Sequence, residues 1–180
     1  MNPQTSAIFT AVAIAVIVIA AVAYLVVRNR RTEELRRRFG TEYDRTLKNT
    51  GRRSAAEADL AARTRRVENL AIHPLAPGDR DRFAERWRAT QASFVDNPVR
   101  AVTEASALVD EVMRARGYPV ADFEMRASDI SVDHPRFVEN YREAHAIAVE
   151  AQRGTARTED LRRATIHYRD LFENLLETAA

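Results

Sequence analysis

The sequence predicts an all-α protein: one N-terminal transmembrane helix followed by a soluble helical bundle of four longer helices plus short ones. Three observations predict it. Residues 7–27 form a run of 21 residues without a charge. Beyond that run, apolar residues recur at helical spacing, and no stretch alternates as a strand does. All five glycines, Gly40, Gly51, Gly78, Gly117 and Gly154, and the later prolines, Pro74, Pro77, Pro98, Pro119 and Pro135, fall where a helical pattern stops or starts. Helix interiors reject both, glycine for its backbone entropy and proline for its missing N–H and its clash with the preceding turn.

The apolar run comes first. At about 1.5 Å per residue it spans roughly 32 Å, the hydrocarbon thickness of a bilayer. It is built of Ala, Val and Ile with little else, only Thr10 and Tyr24 are polar, and Tyr24 lies near one end, where an amphipathic ring prefers the headgroups. A helix buried in a globular domain is normally shorter and keeps one polar stripe. Ala21-Val22-Ala23 has the form of a signal-peptide cleavage site, but residues 1–6 carry no Lys or Arg, which a signal peptide places there. The positive charge follows the run instead, at Arg28, Arg30, Arg31, Arg36, Arg37 and Arg38. By the positive-inside rule this predicts a single-pass protein of the cell membrane, with residues 1–6 outside and the C-terminal domain in the cytoplasm.

Of 180 residues, 30% are charged and 7% aromatic, a balance that suits a folded helical domain. There is no cysteine, so no disulfide, thiolate nucleophile or Cys-based zinc site. Lys48 is the only lysine, a bias read as the mark of a high-G+C bacterial genome.

The first helix is expected to run on from the membrane to about Phe39, followed by a short one over residues 42–49; residues 28–51 thus form a basic juxtamembrane segment and 52–180 the cytoplasmic domain. The next helix covers 54–72, with Leu60, Val67 and Leu70 inward, and 73–78 is a turn. Phe83, Trp87, Gln91, Phe94 and Val95 make one stripe. Asn97 caps and Pro98 opens a helix carrying Val99, Val102, Val109, Val112 and Met113, stopped by Gly117. Residues 118–132 read as a short helix or turn around 121–127 and then a loop. Asp133-His134-Pro135 begins a helix with Phe137, Val138, Tyr141, Ala144 and Ala148 on one face, ending at Gly154. Thr158 caps the last helix, Glu159 and Asp160 complement its dipole, and Leu161, Thr165, Tyr168, Leu171, Phe172 and Leu175 face inward.

Charge divides along the chain. Residues 28–70 hold 13 Arg/Lys against 7 Asp/Glu, a net of +6, while 71–180 hold 15 against 19, a net of −4. The basic part adjoins the membrane, where anionic headgroups attract each well-placed cation by about 1 kcal/mol. Nucleic-acid binding is the weaker reading of the same arginines, since Glu57, Asp59 and Glu68 interleave with Arg52, Arg53, Arg63, Arg65 and Arg66.

No catalytic constellation stands out. The histidines His73, His134, His145 and His167 form no close pair on one helix, and a metal site would need them to converge with an acid such as Glu143 or Asp170; most histidines of this kind are core or cap residues. The segment from Gly117 through Glu124 is locally unusual. With Tyr118, Asp122, Glu124, Asp129, Asp133 and His134 it is the candidate partner surface. Its acids lack the spacing and central glycine of a calcium loop, and a structural elbow is the plainer reading. No cofactor is expected.

Several local signatures run through the chain: Arg38-Phe39-Gly40 with Glu42-Tyr43-Asp44-Arg45, Phe94-Val95-Asp96, Arg116-Gly117-Tyr118-Pro119, Ser131-Val132-Asp133-His134-Pro135, Tyr141-Arg142 with Ala144-His145, and His167-Tyr168-Arg169 with Leu171-Phe172. Together they resemble an uncharacterised family of single-pass bacterial membrane proteins. Thr41 stands where that family would have proline, which touches only a helix start. The resemblance implies a bacterial membrane-anchored protein and no particular activity. The expected function is a non-enzymatic interaction module at the cytoplasmic membrane face, with lipid headgroups and another protein as partners; a His/carboxylate metal-binding or enzymatic domain and a membrane-tethered nucleic-acid binder are the alternatives.

Overall fold

A computed structural model describes residues 3–119 and 122–177, with side chains from residue 14 onward. Among the described residues the chain is helical throughout, without strands. It divides into two compact units, residues 1–38 and residues 39–180.

The first unit is a single helix, α1 (Pro3–Phe39, whose last residue belongs to the second unit). Side chains from Ile14 to Val27 are exposed on every side, with Ile17 and Ile19 each 67% exposed. Among the described residues no helix is long and apolar enough to cross a membrane. The expected span of residues 7–27 begins in residues 7–13, whose side chains lie outside the described residues, as do residues 1 and 2 of the expected extracytoplasmic segment.

The second unit comprises α2 (Thr41–Thr50), α3 (Arg53–Glu68), α4 (Asp79–Ser93), α5 (Pro98–Ala115), α6 (Phe123–Asp133), α7 (Val138–Gln152) and α8 (Thr158–Glu177). Five of these exceed four turns, where four longer helices were expected. Helix α8 packs against both α5 and α7, which also touch each other; α4 covers α5, α6 lies on α7, and α3 joins α6 to α2. The core centres on α5, α7 and α8. Val102, Val109, Val112, Ala144, Ala164 and Leu171 are wholly buried there, and Trp87 stacks on Phe172 with ring centroids 4.7 Å apart. Burying each such aliphatic or aromatic side chain contributes about 1.5–3 kcal/mol.

Local chemistry explains most boundaries. Asn97 Oδ1 accepts the Arg100 N–H at 3.0 Å with Pro98 in the first turn, as expected. Asp122 Oδ1 likewise caps α6 through the Met125 N–H. Several expectations need correction. Helix α3 ends at Glu68, and Leu70, Ile72 and Leu75 reach the core from the loop that follows. Gln91 and Val95 do not face inward; Thr90 does, and Val95 is 87% exposed because the helix has ended at Ser93. Val99 is 41% exposed as well. Residues 123–133 form one full helix, where a short helix or turn around 121–127 and then a loop were expected, so His134 ends α6 instead of opening α7. Thr158 is the first helical residue of α8, one position inside the expected cap. Helix α2 also belongs to the second unit, because Glu42, Tyr43 and Thr46 are buried in it.

The loop after α3 is seated on the end of α5. The His73 N–H donates to the Arg116 carbonyl at 3.0 Å, and Gly117, at φ +92°, has no room for a side chain: a Cβ there would lie 2.4 Å from the Ala71 carbonyl oxygen. Gly117→Ala is therefore expected to cost more than about 2 kcal/mol, left-handed strain and backbone collision together. Gly51 has a positive φ of 68° and nothing within 4 Å of a would-be Cβ, so Gly51→Ala should cost only the strain, roughly 1–2 kcal/mol. Denaturant midpoints of the two variants measure the difference, and equal losses would refute the close approach.

Candidate functional site

The six arginines that follow the apolar run all lie exposed on α1. At about 3.6 residues per turn, Arg28, Arg30, Arg31, Arg36, Arg37 and Arg38 are distributed right round the helix. They form a collar, not a stripe. Arg36 lies 4.0 Å from Glu33, an exposed pair of little consequence for stability.

The residues of the candidate partner surface do not make one surface. Tyr118, Asp129 and His134 are buried, while Asp122, Glu124 and Asp133 are exposed. Each buried member has a structural partner. The Tyr118 hydroxyl donates to Asp133 at 2.8 Å, and burial first, then this bond, push its phenol well above the ordinary range. Asp129, with no exposure, accepts from the Arg66 Nε at 2.7 Å. His134 Nδ1 lies 2.5 Å from Asn174 Oδ1, and burial lowers its basicity. The segment is the elbow of the plainer reading, locked to α3 and α8.

What the structure does assemble nearby is a groove of about 710 Å³ along α6 and α7. Its floor is a stacked pair: the rings of Phe123 and His145 lie 3.6 Å apart and nearly parallel. Glu124 and Glu139 stand exposed at its rim, with Arg45 opposite. Phe123 also touches Tyr141, centroids 5.0 Å apart, so the groove borders a polar network inside the bundle. There Arg126 lies 3.2 Å from Asp110, and its Nε donates to the Tyr141 hydroxyl at 3.3 Å. Burial raises the Asp110 carboxyl despite Arg126, and raises the Tyr168 phenol to about 12. Burial, then the Arg126 charge, lowers His145. The arrangement offers an aromatic shelf and carboxylates for recognition, with its inner charges already committed to one another.

One wall of the groove carries a buried ionic triad. Glu42, 2% exposed, receives both ends of the Arg142 guanidinium, at 2.6 and 3.0 Å, and the Arg63 Nη1 at 2.7 Å. This joins α2, α3 and α7. Sequence reasoning missed it, although Arg142 follows Val138 by four residues and so sits on the inner stripe of α7, a position where arginine needs a buried partner. The histidines stay apart: His73 is exposed in the loop after α3, and His167 lies 3.3 Å from Glu143 on the α7–α8 face. Among the described residues no three His, Asp or Glu side chains converge to hold a metal ion.

Removing one member of a buried ionic set strands its partners. Glu42→Gln keeps the shape and takes the close counter-charge from the buried Arg142 guanidinium, while Arg63 retains Asp59 at 2.6 Å; the expected loss is about 3 kcal/mol. Arg100→Gln, which breaks an exposed pair with Glu104, should leave the denaturation midpoint nearly unchanged. Comparable midpoints for the two variants would show that the triad is not a structural tie.

The chain matches no family model, and neither the curated proteins nor the solved structures contain a match to it.

Proposed function

We propose that the chain is a non-enzymatic helical interaction module held at the cytoplasmic face of a bacterial cell membrane by α1. The observation that carries this reading is the exposure of α1. From Ile14 to Val27 it presents Val, Ile, Leu and Ala outward on all sides, which is costly in water and favourable in lipid. The apolar stretch ends at the arginine collar. Cations placed all round a helix suit a ring of anionic headgroups better than a nucleic-acid groove, which needs them on one face. The resemblance to single-pass bacterial proteins points the same way. In the second unit, the groove on α6 and α7, with its aromatic floor and exposed Glu124 and Glu139, is where we place contact with a protein partner.

Two measurements test the anchor. The full chain should stay in the membrane pellet through high salt and alkaline carbonate, and a chain lacking residues 1–27 should be released. A paired periplasmic/cytoplasmic reporter fused to Ala180 should give the cytoplasmic signal. Replacing all six collar arginines with glutamine should shift a fraction of the reporter to the other side. Release of the full chain by carbonate would end the anchor reading; an external signal from the unaltered chain would reverse the orientation.

A further inference from the structure

The α6–α7 elbow meets the last turn of α8 through a small set of buried polar groups. His134, 4% exposed, faces Asn174 of α8 across a 2.5 Å contact between Nδ1 and Oδ1. Beside it, Arg116 at the end of α5 is 2% exposed and donates through Nη1 to the Leu175 carbonyl at 2.7 Å. Two nitrogens in this seam, His134 Nε2 and Arg116 Nε, are sealed from solvent with no hydrogen-bond partner among the described residues.

We propose that this seam is proton-sensitive: neutral His134 closes it, and uptake of a proton at Nε2 opens it. The chemistry is one-sided. A neutral imidazole that donates from Nδ1 to Asn174 leaves Nε2 as a bare acceptor, which tolerates burial. Protonation turns Nε2 into a buried donor with no acceptor among the described residues, and puts a second cation beside the fixed charge of Arg116. Among the described residues the charged groups facing the ring are Arg116 from α5, which opposes protonation, and Asp133 on its own helix, which favours it but is engaged by the Tyr118 hydroxyl. Helix α8 contributes the uncharged Asn174. Burial is the largest influence and lowers the proton affinity of the closed form. The open form has the ordinary value of about 6.5. It therefore binds more protons, and opening gains up to about tenfold per pH unit as pH falls below that value.

Hydrogen exchange of the full chain in mild detergent, from pH 7.5 to 5 and corrected for the intrinsic rate, tests this directly. Protection over residues 130–137 and 172–177 should fall by up to about tenfold per pH unit below 6.5, while residues 101–113 in the core keep theirs. His134→Asn, which retains a donor near the Nδ1 position and cannot take up a proton there, should make the profile flat. Asn174→Asp gives the imidazolium a counter-charge and should hold the seam closed in acid. A flat profile in the unaltered chain, an equal loss in His134→Asn, an Asn174→Asp profile that falls as the unaltered chain's does, or a matching loss across 101–113 would each overturn the proposal.

Discussion

The second unit depends on one buried carboxylate. Glu42 gathers Arg63 and Arg142 at hydrogen-bonding distance while almost wholly removed from water. The main apolar core is drawn from α4 to α8 and includes none of the buried apolar residues of α2 and α3, such as Tyr43, Ala56 and Leu60. Directional charge-assisted bonds tie the α2–α3 pair to the rest, from Glu42 to α7 and from Arg66 to Asp129 on α6. Bonds of this kind are geometrically strict. They fix how α2 and α3 sit more than they add to stability, since desolvating the ions offsets much of their attraction.

The same strictness shapes the groove. Arg142 forms part of its wall only because Glu42 holds the guanidinium flat against α2. Phe123 lies flat on His145 because α6 is a complete helix, capped by Asp122 at one end and held by Asp129 in its middle. Behind them, Asp110 and Arg126 pair within the bundle, and the Tyr141 hydroxyl is hydrogen-bonded to both. The groove thus presents side chains whose positions are set by the fold, and preorganised surfaces of this sort lose less ordering entropy when they bind a ligand.

Helix α1 obeys a different rule. Elsewhere among the described residues the large aliphatic side chains are buried or half-buried apart from Val95 and Val99, whereas α1 exposes all of them from Ile14 to Val27. A helix of that kind is explained by its solvent. The proposed bilayer would make its apolar exterior favourable and would give the arginine collar a layer of anionic charge to meet.

Much of this protein was legible in its amino-acid order. The helical class followed from the placement of glycine and proline, and the Asn97-Pro98 start, the Gly117 stop and most of the inner faces of α5 and α8 followed from capping chemistry and spacing, because these are local effects within a turn or two of helix. The full length of helix α6 was not legible, since only a short helix or turn around 121–127 was expected. Its Ser, Asp, Ile and Val have modest helical preference, and it persists because Ile130 enters the core and Asp129 is taken by Arg66 from 63 residues away. For the same reason Asp129, which even the elbow reading left solvated, is interior in the fold, as are Tyr118 and His134 of the candidate surface. The Glu42 triad, which bridges 100 residues between α2 and α7, left only the trace of an arginine on an inward stripe. Local propensity and capping are written in neighbouring residues; which buried charges meet is decided by packing between distant ones, and that only the tertiary structure supplies.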